Sequence, residues 1–391
     1  MALGLILTAI LAALIMPGCS SSSKPADAPA RLTERTAELE RALEAAGSNR
    51  TEIERALARV PADQAFAMAW LVERMPREDL ETLRADFLIA NCDRAFQAWC
   101  TAPWHAQVPE EVFLDAILPY SSVNEKREAW WTEFRGRCLP MIAGARTPGQ
   151  AAAIINQQIF NQVNVRYSTK RPKPDQSPSE SMAATTASCT GLSILLIDAC
   201  RSVGIPARFV GTALWSDRSG NHSWVEVWDN GWQFTGAAEA TGDVLNQGWF
   251  TDRASTARRD DPEMAIYAVT WRDTNLSFPM VWRREDTSVR AVNVTDRYVA
   301  LRQVVPEGHA RLRIKVARDG SRAAAAVTVV NAAGEPVFTG TSKDERFDSN
   351  DHLTAVLPLG SVCTLNVEGA HPRQVTVERD EQLVEIEIPP G

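Results

Sequence analysis

The chain has 391 residues, which is enough for two or three domains that each bury a core of their own. Hydrophobic residues make up 45% and charged residues 23%, which is typical of a globular protein and excludes extensive disorder or several membrane spans. The formal net charge is −8 and the pI is near 5.4, so the chain gives no sign of a nucleic-acid partner, which a basic patch or stripe would indicate.

The first nineteen residues form an apolar run that ends in Met16-Pro17-Gly18-Cys19. The run is short for a membrane span and predicts a signal peptide. It resembles a bacterial lipoprotein signal, which implies a lipid on Cys19 and a place in the bacterial cell envelope, facing the periplasm or the exterior. Plain secretion and an uncleaved anchor are the alternatives, because no Lys or Arg precedes the apolar run. Residues 20–30 have the polar, proline-containing composition of a flexible linker.

The cysteines are spaced too widely for a CxxC pair, so neither a zinc ribbon nor a thioredoxin motif is predicted. If Cys19 is lipidated and Cys189 stays free, the other five allow at most two intrachain disulfides. Cys92 and Cys100 are predicted on one helix, where eight residues separate their Cα atoms by about 12 Å, too far for a bridge. One of them could instead meet Cys138.

The periodicity of apolar residues predicts an α+β fold in three parts. Residues 31–140 repeat apolar residues at three- and four-residue spacing, which predicts a helical domain whose tryptophans belong to the core by default. Residues 141–265 mix helix and strand, and 266–305 alternate like strands that connect two domains. Residues 306–391 are short alternating runs between turns, which predict an antiparallel β-sandwich with a structural or adhesive role.

Cys189 stands at the start of the most apolar helix that the sequence predicts. Leu192, Leu195, Leu196 and Ala199 follow the helical spacing, and the helix is expected to end near Gly204 and Pro206. Cys189 therefore lies in the first turn, where unpaired backbone N–H groups and the helix dipole favour thiolate over thiol. This position predicts a nucleophile, whereas Cys200 on the apolar face is predicted to be an inert core residue.

A thiolate that attacks an amide also needs an acid to protonate the departing amine, and histidine is the usual donor. Of the five histidines, His222 stands apart, because it opens the run "HSWVEVW" before the turn Asp229-Asn230-Gly231. That turn predicts a hairpin. The other histidines, His105, His309, His352 and His371, are isolated in loops or in the predicted β domain.

Three blocks occur in order along the chain: the helix-opening Cys189, "GIPAR" and "HSWVEV". On these blocks, residues 150–250, approximately, resemble the transglutaminase-like superfamily. The resemblance implies a papain-like core with a Cys-His-Asp triad, in which Cys189 is the nucleophile and His222 is the base and general acid. The family's aspartate, counted from Trp232, falls on Gly236 here. Glu239 is the nearest carboxylate and is predicted to orient His222. Glu226 and Asp229 are lesser candidates, and a dyad without a carboxylate is a further alternative.

An oxyanion hole needs fixed hydrogen-bond donors, and the backbone N–H of Cys189 is one. Gln176, in the proline-rich loop before the nucleophile, is the predicted side-chain donor, with Gln157 and Gln158 as competitors. The basic cluster Lys170, Arg171 and Lys173 is either a solvated loop or a contact for an acidic group, and the solvated loop is favoured. No metal or organic cofactor is predicted, because the sequence lacks HExxH, Walker, GxGxxG and GxSxG motifs.

These features predict an envelope-anchored cysteine hydrolase or acyltransferase that acts on a peptide or protein amide through a Cys189 thioester. The membrane partner is the lipid anchor, no nucleic acid is expected, and the oligomeric state is not predicted. The alternative is a binding or scaffold lipoprotein that has kept the fold and lost the activity. The missing aspartate at position 236 favours this alternative, and the presence of both Cys189 and His222 counts against it.

Overall fold

The computed structural model describes residues 36–302 and 305–389. The predicted signal peptide, the lipidation residue Cys19 and the linker 20–30 lie outside the described residues. Within the described part of the chain, no helix combines the length and the apolar character needed to cross a membrane.

The first described region, up to residue 141, is helical. Helix α1 begins after Thr36, whose side-chain oxygen accepts a hydrogen bond from the Leu39 backbone N–H at 3.0 Å, as expected for an N-cap. Apolar residues at helical spacing, such as Leu43, Ile53 and Leu88, are completely buried between the helices. The helices are α1 (Ala37–Ala45), α2 (Arg50–Arg59), α3 (Ala65–Arg74), α4 (Arg77–Thr82), α5 (Ala85–Thr101), α6 (Glu110–Ala116) and α7 (Trp131–Met141), with 3₁₀ turns at Gly47–Asn49, Ala62–Gln64 and His105–Gln107.

The central region combines helices with a five-stranded antiparallel sheet. The sheet has the order β5-β4-β3-β6-β7, and a separate parallel pair joins β1 to β2. The helices are α8 (Pro148–Gln162), α9 (Pro178–Ala184), α10 (Cys189–Arg201), α11 (Thr251–Ala254) and α12 (Thr295–Val299). The strands are β1 (Arg166–Tyr167), β2 (Thr186–Ala187), β3 (Ala207–Thr212), β4 (His222–Trp228), β5 (Trp232–Thr235), β6 (Tyr267–Val269) and β7 (Ala291–Asn293).

Helix α10 is the centre of this region. Every residue from Thr190 to Arg201 is buried, which is expected for a helix that is apolar on most sides and packs against both the sheet and other helices. The chain leaves the helix through Gly204, which has φ +77°, and a Cβ there would overlap the Ala98 carbonyl oxygen. Glycine is therefore required where the helix end meets α5. This packing fixes the start of α10 relative to the sheet.

The C-terminal region is a two-sheet β-sandwich. One sheet has the order β11-β10-β13-β14, the other has the order β12-β8-β15 with β9 beside β8, and the apolar side chains of both sheets share one core. The strands are β8 (His309–Arg318), β9 (Ser321–Arg322), β10 (Ala326–Val330), β11 (Pro336–Thr341), β12 (Leu353–Pro358), β13 (Val362–Val367), β14 (Arg373–Thr376) and β15 (Gln382–Ile388).

The predicted α+β class is confirmed, with two differences in how strands pair. The C-terminal strands are not all antiparallel, because β15 crosses over from the opposite sheet after β14 and pairs with β8 in the same direction. The segment 266–305, predicted to connect two domains, instead contributes β6 and β7 to the central sheet. Alternation along a strand predicts that the strand exists, but it does not indicate which strand will be its partner.

Candidate active site

Cys189 is the first residue of α10 and is partly exposed. The Ser188 carbonyl accepts the Leu192 N–H at 2.9 Å, so the helix starts at Cys189 as the sequence predicts. The first backbone N–H groups of a helix have no partner within it, and together with the helix dipole they stabilise an anion at this end. The position supplies the electrostatic environment that a thiolate nucleophile needs.

His222 is the first residue of β4, where it pairs with Thr212 of β3. Its side chain is only 1% exposed. One ligand-type atom each from Cys189, His222 and Asp348 lies within 4.8 Å of the other two. The structure therefore brings Cys189 and His222 together, and it adds a carboxylate that the sequence analysis did not identify.

Asp348 approaches the histidine from the C-terminal sandwich, in the segment between β11 and β12. Its Oδ2 lies 3.5 Å from His222 Nδ1, and its side chain is also 1% exposed. Burial alone would lower the pKa of His222, but the charge and hydrogen bonding of Asp348, followed by those of Cys189, raise this pKa well above its usual range. Burial alone would raise the pKa of Asp348, but the His222 charge and hydrogen bonds from His222 and Asn350 lower it.

Hydrogen bonds within the 342–352 segment hold the Asp348 side chain in place. The Asn350 backbone N–H and Nδ2 donate to Asp348 Oδ1 at 2.9 and 3.1 Å. The Asp351 N–H donates to the Asp348 carbonyl at 2.9 Å, and Arg322 Nη1 donates to the same carbonyl at 2.8 Å. These bonds leave Oδ2 facing His222.

Three contacts fasten this segment to the central region. Asn350 Nδ2 donates to the Asn221 carbonyl at 3.0 Å, next to His222 in the chain. The Ser349 N–H donates to the Tyr167 hydroxyl at 2.8 Å. Arg253, which is buried, donates from Nη1 to the Asn350 carbonyl at 3.2 Å. The C-terminal sandwich is therefore joined to the central region at the two residues that follow Asp348.

Aromatic rings surround the His222 imidazole. The ring centroids of Trp249, Phe250, Trp224 and Trp215 lie 4.8, 5.0, 5.8 and 6.0 Å from it. These rings exclude water from the back of the imidazole and restrict its rotation. Three of these four rings are tryptophans of the central region, and they form the wall behind the predicted base.

Glu239, predicted to orient His222, does not occupy that position. The carboxylate at His222 Nδ1 is Asp348, and Glu239 Oε2 is buried with no hydrogen-bond partner among the described residues. A Cβ on Gly236 would overlap Glu239 Oε2. The Glu239 side chain thus folds back over the position at which the family's aspartate would stand, which explains why a glycine is found there.

The Glu239 carboxyl group nevertheless interacts electrostatically with His222 and Asp348. Desolvation by burial, with a smaller contribution from the Asp348 charge, raises the pKa of Glu239 to about 7, although the His222 charge and the Trp249 indole oppose the shift. Glu239 is therefore poised to change its charge near neutral pH.

The two lesser carboxylate candidates have other partners. Glu226, a lesser candidate for the triad, is buried. It accepts from Arg208 Nε and Nη2 at 2.8 and 2.7 Å, from the Tyr298 hydroxyl at 2.8 Å, and from Arg297. Asp229 Oδ2 accepts the Gly149 N–H at 3.2 Å, at the start of α8. Glu226 is buried because both faces of β4 are covered. The alternation of residues along the strand does not show that neither face meets solvent.

Gln176, predicted to be an oxyanion donor, is buried beneath the start of α10. Its Nε2 donates to the Thr186 and Glu180 carbonyls at 3.0 and 3.4 Å, so both N–H donors are used inside the protein. Its side chain is therefore not available to an oxyanion in this arrangement, because the loop around α9 turns the amide towards those carbonyls. In the predicted basic cluster, Lys173 pairs with Glu180 at 3.0 Å.

A cavity of about 390 Å³ opens beside the triad, and we call it the site cavity. It lies next to the first turn of α10, and Asp348 forms part of its wall. The lining residues are Tyr167, Leu192, Ala237, Ala238, Glu239, Ala240, Thr241, Gly248, Trp249, Arg346, Phe347, Asp348 and Asp351.

A thiol, an imidazole and a carboxylate can either bind a metal ion or transfer protons in sequence. Among the described residues, Cys189, His222 and Asp348 form the group whose ligand atoms converge closely enough to hold a metal. The Asp348 oxygen faces Nδ1 of the buried His222 imidazole. Cys189 lies at the start of α10, where the helix favours a thiolate. This is the order of groups in a nucleophile–base–orienter triad.

Comparison with known families places this arrangement in context. Residues 135–237 match the family model described as the transglutaminase-like superfamily. The match contains Cys189 and His222, so the resemblance predicted from their motifs is confirmed. It ends before Glu239 and Asp348. No curated protein matches the sequence.

Three solved structures are similar to parts of the chain. A candidate cysteine protease from Cytophaga hutchinsonii has 19% identity and a TM-score of 0.26, over 32% of this chain and 42% of that one. Red sea bream transglutaminase has 10% identity and a TM-score of 0.31, over 71% and 65%. The Bacillus anthracis TIE protein has 12% identity and a TM-score of 0.17, over 47% and 30%. The chain thus covers less than two thirds of each of these structures.

Proposed function

We propose, from the transglutaminase-like segment 135–237 and the Cys189–His222–Asp348 arrangement, that this protein is a cysteine-dependent hydrolase of peptide or protein amides. Acyl transfer to an amine is the related activity of the same thioester. The observation that carries the proposal is the 3.5 Å approach of Asp348 Oδ2 to His222 Nδ1, with the Cys189 sulfur in the same cluster.

The first step forms a thioester. The Cys189 thiolate attacks the amide carbonyl carbon, and the carbonyl oxygen becomes an oxyanion beside the start of α10. The C–N bond then breaks, and His222 gives its Nε2 proton to the departing amine. The Asp348 carboxylate, 3.5 Å from Nδ1, keeps the imidazole in the required orientation and stabilises its charged form.

The second step releases the acyl group. His222 takes a proton from water, the resulting hydroxide attacks the thioester carbonyl, and the C–S bond breaks to return the thiolate and a carboxylic acid. When an amine attacks instead, a new amide forms and the same proton transfer applies. Water needs no binding site of its own, so hydrolysis is the simpler reaction.

The observation that favoured a binding or scaffold protein has a different explanation in this structure. Position 236 lacks an aspartate, but the Glu239 side chain fills that space and Asp348 supplies a carboxylate at His222. An inactive scaffold has no need of a buried Asp348 held by Asn350 and Arg322. Hydrolysis therefore accounts for more of the structure than binding alone.

The test is the rate at which iodoacetamide alkylates Cys189 across pH, followed by mass spectrometry of the peptide that contains it. A thiolate stabilised by His222 reacts faster than a model thiol at pH 6–7, and His222→Ala abolishes the difference. The His309→Ala variant serves as a control, because His309 is exposed and lies in the sandwich. If Cys189 reacts no faster than a model thiol from pH 5 to 8, the enzyme proposal is abandoned.

The cellular location is part of the proposal. The run that ends in Met16-Pro17-Gly18-Cys19 supports cleavage before Cys19 and attachment of lipid to that residue. Intact-mass measurement of protein extracted from membranes tests this directly. A lipidated chain has lost residues 1–18 and gained the mass of acyl groups, and a Cys19→Ser variant is neither cleaved at that point nor acylated. A wild-type chain that retains residues 1–18, or begins at another residue without acyl mass, would contradict the lipid anchor.

A further inference from the structure

The site cavity has the size and position of a pocket for part of a substrate. Its volume of about 390 Å³ lies within the range of about 300–1,000 Å³ that small ligands occupy. Leu192, one turn after Cys189 in α10, and Asp348 both line it. A group bound in the cavity is therefore in contact with the first turn of α10 and with the segment that carries Asp348.

The charged groups on the cavity wall are mainly acidic. Glu239, Asp348 and Asp351 contribute carboxyl groups, and Arg346 is the cation among the lining residues. The Arg346 guanidinium is 80% exposed and is already paired with Asp344, with Nε and Nη2 bonds of 2.8–3.1 Å. Lys343 lies 3.9 Å from Asp351. The Arg346 cation is thus paired locally, whereas Glu239 has no Lys or Arg within salt-bridge distance among the described residues.

Two of these carboxyl groups have an oxygen without a hydrogen bond. The Asp348 side chain is almost completely buried, and its Oδ2 has only the 3.5 Å approach to His222. Glu239 Oε2 is buried and has no hydrogen-bond partner among the described residues. A buried polar atom without a partner is unfavourable, and a donor from a ligand would remove that cost at Glu239, whereas Asp348 Oδ2 already faces His222.

Aromatic rings complete the wall. Tyr167, Trp249 and Phe347 line the cavity, and ring faces attract cations through their quadrupole. The Lys343 ammonium already lies over the Phe347 ring, 4.4 Å from its centroid. The Trp249 ring is 4.8 Å from that of His222, so a cation held near Trp249 lies one ring away from the triad.

We propose that the site cavity binds a positively charged side chain, an ammonium or a guanidinium, of the peptide whose amide Cys189 attacks. This inference rests on the proposed function and names the class of substrate. The cation is held by the carboxylates and the rings and is not itself acylated. An anionic side chain would face Glu239, Asp348 and Asp351 with no unpaired cation nearby, and an apolar one would leave Glu239 Oε2 without a donor.

The experiment uses three methanethiosulfonates that modify Cys189 and differ in charge. The 2-(trimethylammonium)ethyl reagent is cationic, the 2-sulfonatoethyl reagent is anionic and the methyl reagent is neutral. Each rate is measured on the full chain by mass spectrometry of the Cys189 peptide and divided by the rate with a model thiol. Because a quaternary ammonium cannot accept an acyl group, the result reports binding of charge alone.

We expect the normalised cationic rate to exceed the anionic rate by on the order of 10-fold, because a cleft of one charge concentrates the opposite ion. Glu239→Gln and Asp351→Asn each reduce this ratio several-fold. Asp260→Asn, which removes an exposed carboxylate outside the cavity lining, leaves it unchanged. A second measurement is protection of Cys189 from iodoacetamide by butyltrimethylammonium, which Glu239→Gln weakens.

The outcomes distinguish the two proposals. If Cys189 reacts rapidly with the neutral reagent but shows equal normalised rates with the two charged ones, the cation pocket is overturned and the cysteine enzyme stands. The same conclusion follows if the ratio is high but is unaffected by both Glu239→Gln and Asp351→Asn. If Cys189 reacts slowly with all three reagents, the proposed function fails, and the pocket proposal fails with it.

Discussion

Asp348 Oδ2 lies 3.5 Å from His222 Nδ1 although the two residues belong to different parts of the fold, the C-terminal sandwich and the central sheet. Both side chains are buried, and three hydrogen bonds between the central region and Ser349 or Asn350 lie within two residues of Asp348. The cluster of Cys189, His222 and Asp348 is thus assembled from two parts of the fold that are distant in the sequence.

Replacing Asp348 with Asn is expected to lower amide hydrolysis by on the order of 100-fold while the protein stays folded. Asp348 raises the pKa of His222, so its removal lowers that pKa and moves the alkaline limb of the pH–activity profile to lower pH. Measuring kcat/KM from pH 5 to 10 checks both effects. Asp260→Asn is the matched control, and an unshifted alkaline limb in Asp348→Asn would show that Asp348 does not act on His222.

Asn350→Ala is expected to weaken the positioning of Asp348 without removing its charge. The variant loses the Nδ2 bonds to Asp348 Oδ1 and to the Asn221 carbonyl, each worth about 0.5–1.5 kcal/mol. We expect a fall in kcat of about 10-fold, corresponding to roughly 1.4 kcal/mol. The same change at the exposed Asn366 on β13 should leave kcat unchanged. Equal effects of the two variants would contradict a positioning role for Asn350.

Glu239→Gln is expected to change how stability depends on pH. The pKa of Glu239 is raised from 4.5 to about 7, so the folded chain holds this proton more tightly than the unfolded chain does. The free energy of unfolding of the wild type therefore falls as pH rises from about 4.5 through 7, by roughly 3 kcal/mol from this group. The amide does not titrate, so the variant gains stability relative to the wild type between pH 5 and 8. Urea unfolding of both proteins at pH 5 and at pH 8 measures this change. If the difference in free energy of unfolding between the variant and the wild type is the same at both pH values, the raised pKa is refuted.

Gly236→Ala is expected to destabilise the protein by about 1–3 kcal/mol, because the added methyl group overlaps Glu239 Oε2. In a Glu239→Ala background the carboxylate is absent, and the same substitution should cost much less. Thermal unfolding of the two single variants and the double variant gives the coupling energy. Strict additivity would mean that the Glu239 side chain does not occupy this space.

The sequence was sufficient to identify Cys189 and His222 because their signals are local. Helical periodicity places Cys189 at the start of α10, and the hairpin turn after "HSWVEVW" places His222 at the start of β4. Asp348 has no such signal. It lies among "DSND" between two strands, a polar turn sequence that could occur at any loop, and its approach to His222 depends on how two domains pack.

The same limitation explains the other differences. Counting residues from Trp232 led to Gly236, so Glu239 was predicted as the nearest carboxylate. The turn after β5, with Ala238 at φ +63°, instead folds the Glu239 side chain back over Gly236. Glu226 was a lesser candidate for the triad, yet Arg208 and Tyr298 bind it in the interior. In each case the local spacing of residues predicts the secondary structure, whereas long-range packing determines what the side chain contacts.

The order of synthesis gives the shared site a consequence for the life of the protein. The ribosome synthesises Cys189 and His222 well before Asp348, and domains fold as they emerge. A nascent or truncated chain that carries Cys189 and His222 without Asp348 therefore lacks the carboxylate at Nδ1 of the imidazole. On the proposed function, completion of the last domain is a checkpoint, because the full set of three groups exists only once the whole chain has been made.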